Sequence, residues 1–226
     1  MNIAQLQRLV LTGVDGVWGW RSKAALLEAF TNLEANAIRR GDLVATAERL
    51  GCSLAQIEAV RVVESADSGF DRHGRPKILF ERHKFHRMTG GEFSPAFFSQ
   101  SVSGGYTRDA DGNGLDDSWD KLSAAIATGA VDAAFQSCSW GAFQVMGEWW
   151  DELGYPSPFA MAWTAAQSEG DHLEMLARYI EHFDLQDELR SVTSNPASCR
   201  PFAAAYNGPG YRKNRYDEKI AARMQV

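Results

Sequence analysis

Apolar residues recur at helical spacing along most of this chain. The pattern predicts a short helix in AQLQRLVL, a Gly-rich turn in TGVDGVWGW and a second helix in RSKAALLEAF. ANAIRRGDL reads as a connection, with Gly41 and Asp42 as helix punctuation. Beyond it, helices are predicted over 43–50, 54–64, 118–128, 140–150, 163–183, 197–206 and 215–224. Strand-like alternation is scarce. PKILFERH is the best extended segment, and SVSGGYTRDADGNG reads as a loop. Repeats and low-complexity tracts are lacking. The fold class expected is mainly α, with a small helical unit at 1–36 and a larger helical domain at 43–226.

One position breaks the pattern. Ser53 and Gln56 form a capping-box signature, so a helix should start near 53. At about 100° per residue, Ile57, Val60 and Glu64 then share one face. A carboxylate is thereby carried toward the core, where burying its charge costs several kcal/mol unless it is paired or protonated. Two readings stay open on pattern alone. Glu64 pairs with an arginine such as Arg61, Arg72 or Arg82, or it lines a cleft and acts as a general acid with a raised pKa.

Composition narrows the function classes. Hydrophobic residues are 45% and charged residues 23%, enough for a globular core. The net charge of −6 gives no basic surface for nucleic acid, so none is expected as a partner. The cluster YRKNRY reads most simply as a solvated face. An anionic polymer would have to be held by a specific cleft rather than by net charge. No apolar run is long enough to insert in a membrane, and the start lacks the layout of a signal peptide. Cys52, Cys138 and Cys199 show neither disulfide-framework nor metal-ligand spacing. His73, His83 and His86 lack a zinc-hydrolase motif, which disfavours a metal-dependent amidase or peptidase.

Two further stretches bear on Glu64. SCSWGAFQVMG joins a small-residue turn to an apolar segment carrying Gln144. AAYNGPGY ends a helix in Tyr206 and Asn207 and then turns. With the Glu, these resemble the three-part signature of the lysozyme-like superfamily, as in soluble lytic transglycosylases and goose-type lysozymes. The longer blocks VESADSGF, GRPKILFERHKFHRMTGG, SWGAFQVMG and YNGPGYRKNRYDEKIA resemble, in order, the N-acetylmuramidase family of phage endolysins. The resemblance covers about residues 43–226. Separately, LQRLVLTGVDGVWGWRSKAALLEAF resembles a fragment of a peptidoglycan-binding domain, with Trp20 where Pro is frequent.

These resemblances imply a lysozyme-like fold and cleavage of the β-1,4 bond between N-acetylmuramic acid and N-acetylglucosamine in bacterial peptidoglycan. Glu64 matches the catalytic position and would protonate the leaving oxygen. Glu81 is the candidate second carboxylate, against a structural role in an ion pair or cap. Gln144, Tyr206 and Asn207 match positions that line the cleft, and Trp140 reads equally as core or sugar platform. The alternatives are a lytic transglycosylase, in which the muramic acid's 6-hydroxyl attacks and 1,6-anhydro ends form, and a non-catalytic wall-binding or virion protein. The family implies an enzyme that accumulates as a monomer in the host cytoplasm and reaches the wall through a pore made by another protein. No cofactor is expected for catalysis.

DADGNGLDDSWD carries a separate signal. Asp109, Asp111, Asn113, Leu115, Asp117 and Asp120 fall at positions 1, 3, 5, 7, 9 and 12 of an oxygen-ligand Ca²⁺ loop, with Gly114 at the sharp turn. Asp120 stands where a bidentate Glu is usual. The competing reading is an acidic turn whose side chains satisfy their own backbone.

Overall fold

The computed structural model describes residues 1–64 and 68–225; Ser65, Ala66 and Asp67, within the VESADSGF block, lie outside them. The first helices in chain order are α1 (Ile3–Leu9), α2 (Trp20–Ala29), α3 (Arg40–Leu50), α4 (Leu54–Glu64) and α5 (Arg82–Met88). Then come α6 (Asp117–Ala127), α7 (Val131–Gln136), α8 (Pro158–Ala165) and α9 (Glu169–His182). The last are α10 (Gln186–Arg190), α11 (Pro196–Asn207), α12 (Tyr211–Asn214) and α13 (Tyr216–Arg223). Three short strands, β1 (Ile78–Phe80), β2 (Cys138–Trp140) and β3 (Val145–Met146), form one antiparallel sheet in the order β1-β2-β3. The fold is mainly α, as the periodicity predicts.

The chain divides into two compact units, and it crosses between them three times. One holds residues 1–35 and 70–167, the other residues 36–69 and 168–226. In the first unit an aromatic cluster forms the core. The Phe30 ring meets Trp119 edge-on at 5.5 Å and Phe159 edge-on at 6.0 Å, and lies 5.9 Å from Trp140. Phe135 stacks on Trp140 at 6.1 Å. Phe30, Trp119, Phe135 and Trp140 are all at most 1% exposed. Such rings bury large apolar areas and gain further from edge-to-face geometry. Residues 1–35 are thus built into this unit through Phe30.

The segment 140–150 is not the helix that its apolar content suggests. It is a hairpin, in register Ile78↔Trp140, Phe80↔Cys138 and Trp140↔Val145. Gly141 at φ 70° and Gln144 at φ 51° are left-handed, and two such residues within four positions end any α-helix. The predicted helix 163–183 is two helices, α8 and α9. Ser168 breaks it by accepting from the Asp171 amide at 3.1 Å as an N-cap. Gly41 and Asp42 do not punctuate a connection but lie inside α3, where Asp42 Oδ2 accepts from the Arg39 amide at 2.8 Å. The short helices α5, α7 and α10 have no counterpart in the periodicity.

Among its described residues, the regular elements of the second unit are all helices. In α4 the capping box is present: the Gln56 amide donates to Ser53 Oγ at 3.2 Å and Gln56 Oε1 accepts from the Ser53 amide at 2.8 Å. Gln56 Nε2 also donates to the carbonyls of Arg190 and Val192, which fixes α4 against the chain end of α10. Ile57 and Val60 are fully buried, and α4 packs on α3 and α13. Arg49 of α3 pairs with Glu174 and Glu181 of α9 at 2.6 and 2.5 Å. These contacts hold the last turn of α4 and its carboxylate in a fixed place.

Candidate active site

Glu64 is the last residue of α4, on the face that Ile57 and Val60 bury. Asn207, the last residue of α11, donates from Nδ2 to Glu64 Oε1 at 3.0 Å. Burial pushes the Glu64 carboxyl up to about 7; the Asn207 hydrogen bond and the charge of Lys219 pull more weakly in the other direction. The C-terminal end of a helix adds to the disfavour of an anion there. The sequence left an arginine partner open. Arg72 and Arg82 instead donate to the carbonyls of Gly114 and Gly104, at 3.1 and 2.8 Å. A carboxyl with this pKa is a proton donor near neutral pH.

Tyr206 and Asn207 are placed together with Glu64, as their motif predicts. The Tyr206 ring stacks on Phe202 at 5.8 Å and meets Tyr179 edge-on at 5.3 Å. Burial holds its hydroxyl well above the usual phenol range, and Glu64 adds to that effect. Tyr216 and Lys219 of α13 also act on this site, and the sequence reading singled out neither. Burial and the Glu64 charge both raise the Tyr216 hydroxyl, and the Lys219 ammonium lies 5.3 Å over the Tyr216 ring. Their spacing of three along one helix could have flagged them, since it puts both on one face.

In the other unit, Glu81 follows β1 and immediately precedes α5. As the alternation of PKILFERH predicts, Ile78 and Phe80 are buried. Glu81 Oε2 accepts from the Tyr106 hydroxyl at 2.7 Å and lies 3.1 Å from His83 Nδ1. Ser103 Oγ is 2.6 Å from the same hydroxyl. The loop carrying Ser103 and Tyr106 is fastened by Arg82 Nε on the Gly104 carbonyl at 2.8 Å and by Lys121 Nζ on the Gly105 carbonyl at 3.0 Å. Glu81 is thus held by the Tyr106 hydroxyl, with the His83 imidazole beside it, and not by Arg82.

Gln144 is exposed, but both ends of its amide are engaged. It accepts from Ser139 Oγ at 2.8 Å and donates to the carbonyls of Gly141 at 2.8 Å and Lys77 at 3.2 Å. Its position in the motif therefore fixes the hairpin. Trp140 is a core residue and not a sugar platform: its ring is 1% exposed, its Nε1 donates to the Phe135 carbonyl at 3.3 Å, and no sugar can reach its faces.

The acidic loop gathers three of its carboxylates. Oxygens of Asp111, Asp117 and Asp120 lie within 4.8 Å of one another, a convergence that fits a hard cation. Other contacts use the same groups. Asp109 accepts from the Gly114 amide at 3.2 Å, Asn113 donates to Asp111 and Asp120 at 2.9 and 3.2 Å, and the Lys23 ammonium is paired with Asp120.

Comparison with known proteins places the chain in a family. The N-acetylmuramidase family model matches residues 53–226. A solved structure, the Burkholderia AP3 phage endolysin, is 27% identical, with a TM-score of 0.74 over 99% of this chain and 94% of that one. No curated protein matches. The family match begins at the Ser53 cap of α4 and runs through Glu64, Asn207 and α13, and on it the chain belongs to the N-acetylmuramidase family, as a lysozyme-type glycosidase that degrades peptidoglycan.

Proposed function

We propose that Glu64 is the general acid of this muramidase and that the enzyme acts as a phage endolysin in host lysis. The observation that carries the assignment is a single carboxyl at the end of α4, desolvated to a pKa of about 7 and held on one oxygen by Asn207. The uncatalysed reaction is slow because the departing sugar oxygen is a poor leaving group. A proton delivered to that oxygen as the bond breaks removes the difficulty. Asn207 fixes the rotamer of the donor, and the Tyr206 ring walls it from water. Glu81, held on one oxygen by the Tyr106 hydroxyl, is the proposed second carboxylate, leaving its other oxygen for a water or for the sugar cation. The endolysin would wait in the host cytoplasm and reach the wall through a pore made by another protein.

Product analysis tests the chemistry. Mass spectrometry of digested peptidoglycan should show reducing-end muramic acid with the wild type and almost none with Glu64→Gln. Anhydro ends would assign transglycosylation instead, and equal lysis of permeabilised cells by both proteins would remove Glu64 from the acid's role.

Two accessory roles belong to the same proposal. The face of residues 9–20 binds the wall: Leu11, Val17 and Trp20 are 92%, 67% and 76% exposed, more than an ordinary surface shows in so short a stretch. The Val-Asp-Gly turn below them is fixed by buried Gln7, whose Oε1 accepts from the Asp15 and Gly16 amides and whose Nε2 donates to Asp15 Oδ1. Co-sedimentation with intact sacculi should weaken in Trp20→Ser, and unchanged sedimentation would make the face a packing appendage only. The acidic loop holds Ca²⁺ through Asp111, Asp117 and Asp120 with Lys23 displaced, which orders the chain ahead of α6. Added Ca²⁺ should raise the melting temperature and EDTA reverse it; identical melts would leave Lys23 as the resident cation.

A further inference from the structure

We propose that the basic strip of α12 and α13, centred on Lys219, is a subsite for the carboxylates of the peptide attached to the muramic acid. This rests on the muramidase reading above and adds the part of the substrate that α13 recognises.

The first observation is where the charge falls. The chain carries 29 acidic and 23 basic residues, yet residues 211–223 hold Arg212, Lys213, Arg215, Lys219 and Arg223 against only Asp217 and Glu218. The second is pairing. Asp217 is taken by Arg200 at 3.3 Å and Glu218 by Arg215. Among the described residues, Arg212, Lys213 and Lys219 have no carboxylate within ion-pair distance. All three are exposed. The third is preorganisation. Lys219 Nζ lies 5.3 Å over the Tyr216 ring, and the Arg212 guanidinium lies 5.6 Å over the Tyr211 ring with its Nε on that residue's hydroxyl at 3.0 Å. Long cationic side chains rested on aromatic faces lose less freedom when an anion arrives.

The position of Lys219 is otherwise hard to explain. Among the described residues, Asn207 of α11 and Lys219 of α13 act on Glu64, and Glu64 in turn raises Tyr206 and Tyr216. Lys219 is the cation among them. It draws Glu64 toward the ionised form, the wrong form for an acid about to donate. A substrate carboxylate on Lys219 cancels that pull. Peptide recognition and proton retention are then one event: glycan that carries its stem peptide arrives with the anion that keeps Glu64 protonated.

The experiment compares kcat/KM on two forms of one substrate, peptidoglycan bearing its stem peptides and the same glycan after an amidase has removed them. Any effect of a substitution on folding acts on both forms and divides out of their ratio. The wild type should favour the peptide-bearing form. Lys219→Met should lower that preference about tenfold, the scale of one charge-assisted contact. Lys219→Arg should keep it, and Arg212→Gln should lower it by a smaller factor. A ratio unchanged within about twofold in Lys219→Met, or a wild type without preference, would overturn the subsite while leaving the muramidase intact. A wild type that cuts neither form, indistinguishable from Glu64→Gln, would overturn both.

Discussion

Glu64 and Glu81 are the same side chain in opposite settings, one in each compact unit. Glu64 closes α4, where the helix presents its carbonyl end, and its donor is a neutral amide in an apolar surround. Glu81 opens α5, where the helix presents its amide end, and its partners are a phenol and an imidazole. The negative end of one helix and the positive end of another thus meet the two carboxylates. The lesson is that chain position alone can give two glutamates contrasting surroundings, before any substrate is present.

The largest expected effect tests the acid half of that contrast. Glu64→Gln should lower kcat on peptidoglycan by about a thousandfold, the middle of the range for a lost general acid. It should also stabilise the fold. The folded Glu64 pKa of about 7 lies above the ordinary glutamate value of 4.5, so its contribution is most favourable below pH 4.5 and is lost as pH rises toward 7. At about 1.4 kcal/mol per unit, the loss reaches about 3 kcal/mol above pH 7. Denaturant melts of Glu64→Gln should therefore exceed the wild type at pH 8 and converge with it at pH 4. A variant no more stable at pH 8 would mean that the carboxyl is not desolvated.

The anion half is tested by Glu81→Gln. It should lower kcat about a hundredfold and leave KM near the wild type. An active variant with anhydro products would place the burden on Glu64 alone and erase the contrast.

How much of this was written in the sequence differs between the two units for a physical reason. In α4, the cap, the apolar face and the inward carboxylate are local, within twelve residues, so periodicity exposed them. Around 138–147 the deciding fact is long-range: the strand partner of Cys138–Trp140 is Ile78–Phe80, about sixty residues earlier. Local apolar content there mimicked a helix and made Trp140 ambiguous. Asn207 was legible as a motif, but its bond to Glu64 spans 143 residues and no local pattern carries it. Tyr106 went unnoticed because a loop has no period to break.

A smaller effect sharpens the acid half. Asn207→Leu removes the donor that partly offsets burial, so the Glu64 carboxyl should rise further. The alkaline limb of kcat/KM should move to higher pH, while the rate at its optimum falls about tenfold for loss of the fixed rotamer. A limb that moves to lower pH would show that burial is not what holds the proton.

The smallest expected effect concerns Tyr106, and it separates a held anion from a merely buried one. Its hydroxyl gives Glu81 a 2.7 Å hydrogen bond while Ser103 lies 2.6 Å from that hydroxyl, so the phenol links the loop to the carboxylate. Tyr106→Phe keeps the ring and deletes one bond. The loop stays anchored through Arg82 and Lys121, so stability should change by no more than about 1 kcal/mol. The carboxylate loses the donor that fixes its rotamer, so kcat should fall about three- to fivefold with KM unchanged. In Glu81→Gln the same Tyr106→Phe change should cost nothing more, because the two act through one oxygen. Additive losses in the double variant would separate Tyr106 from Glu81.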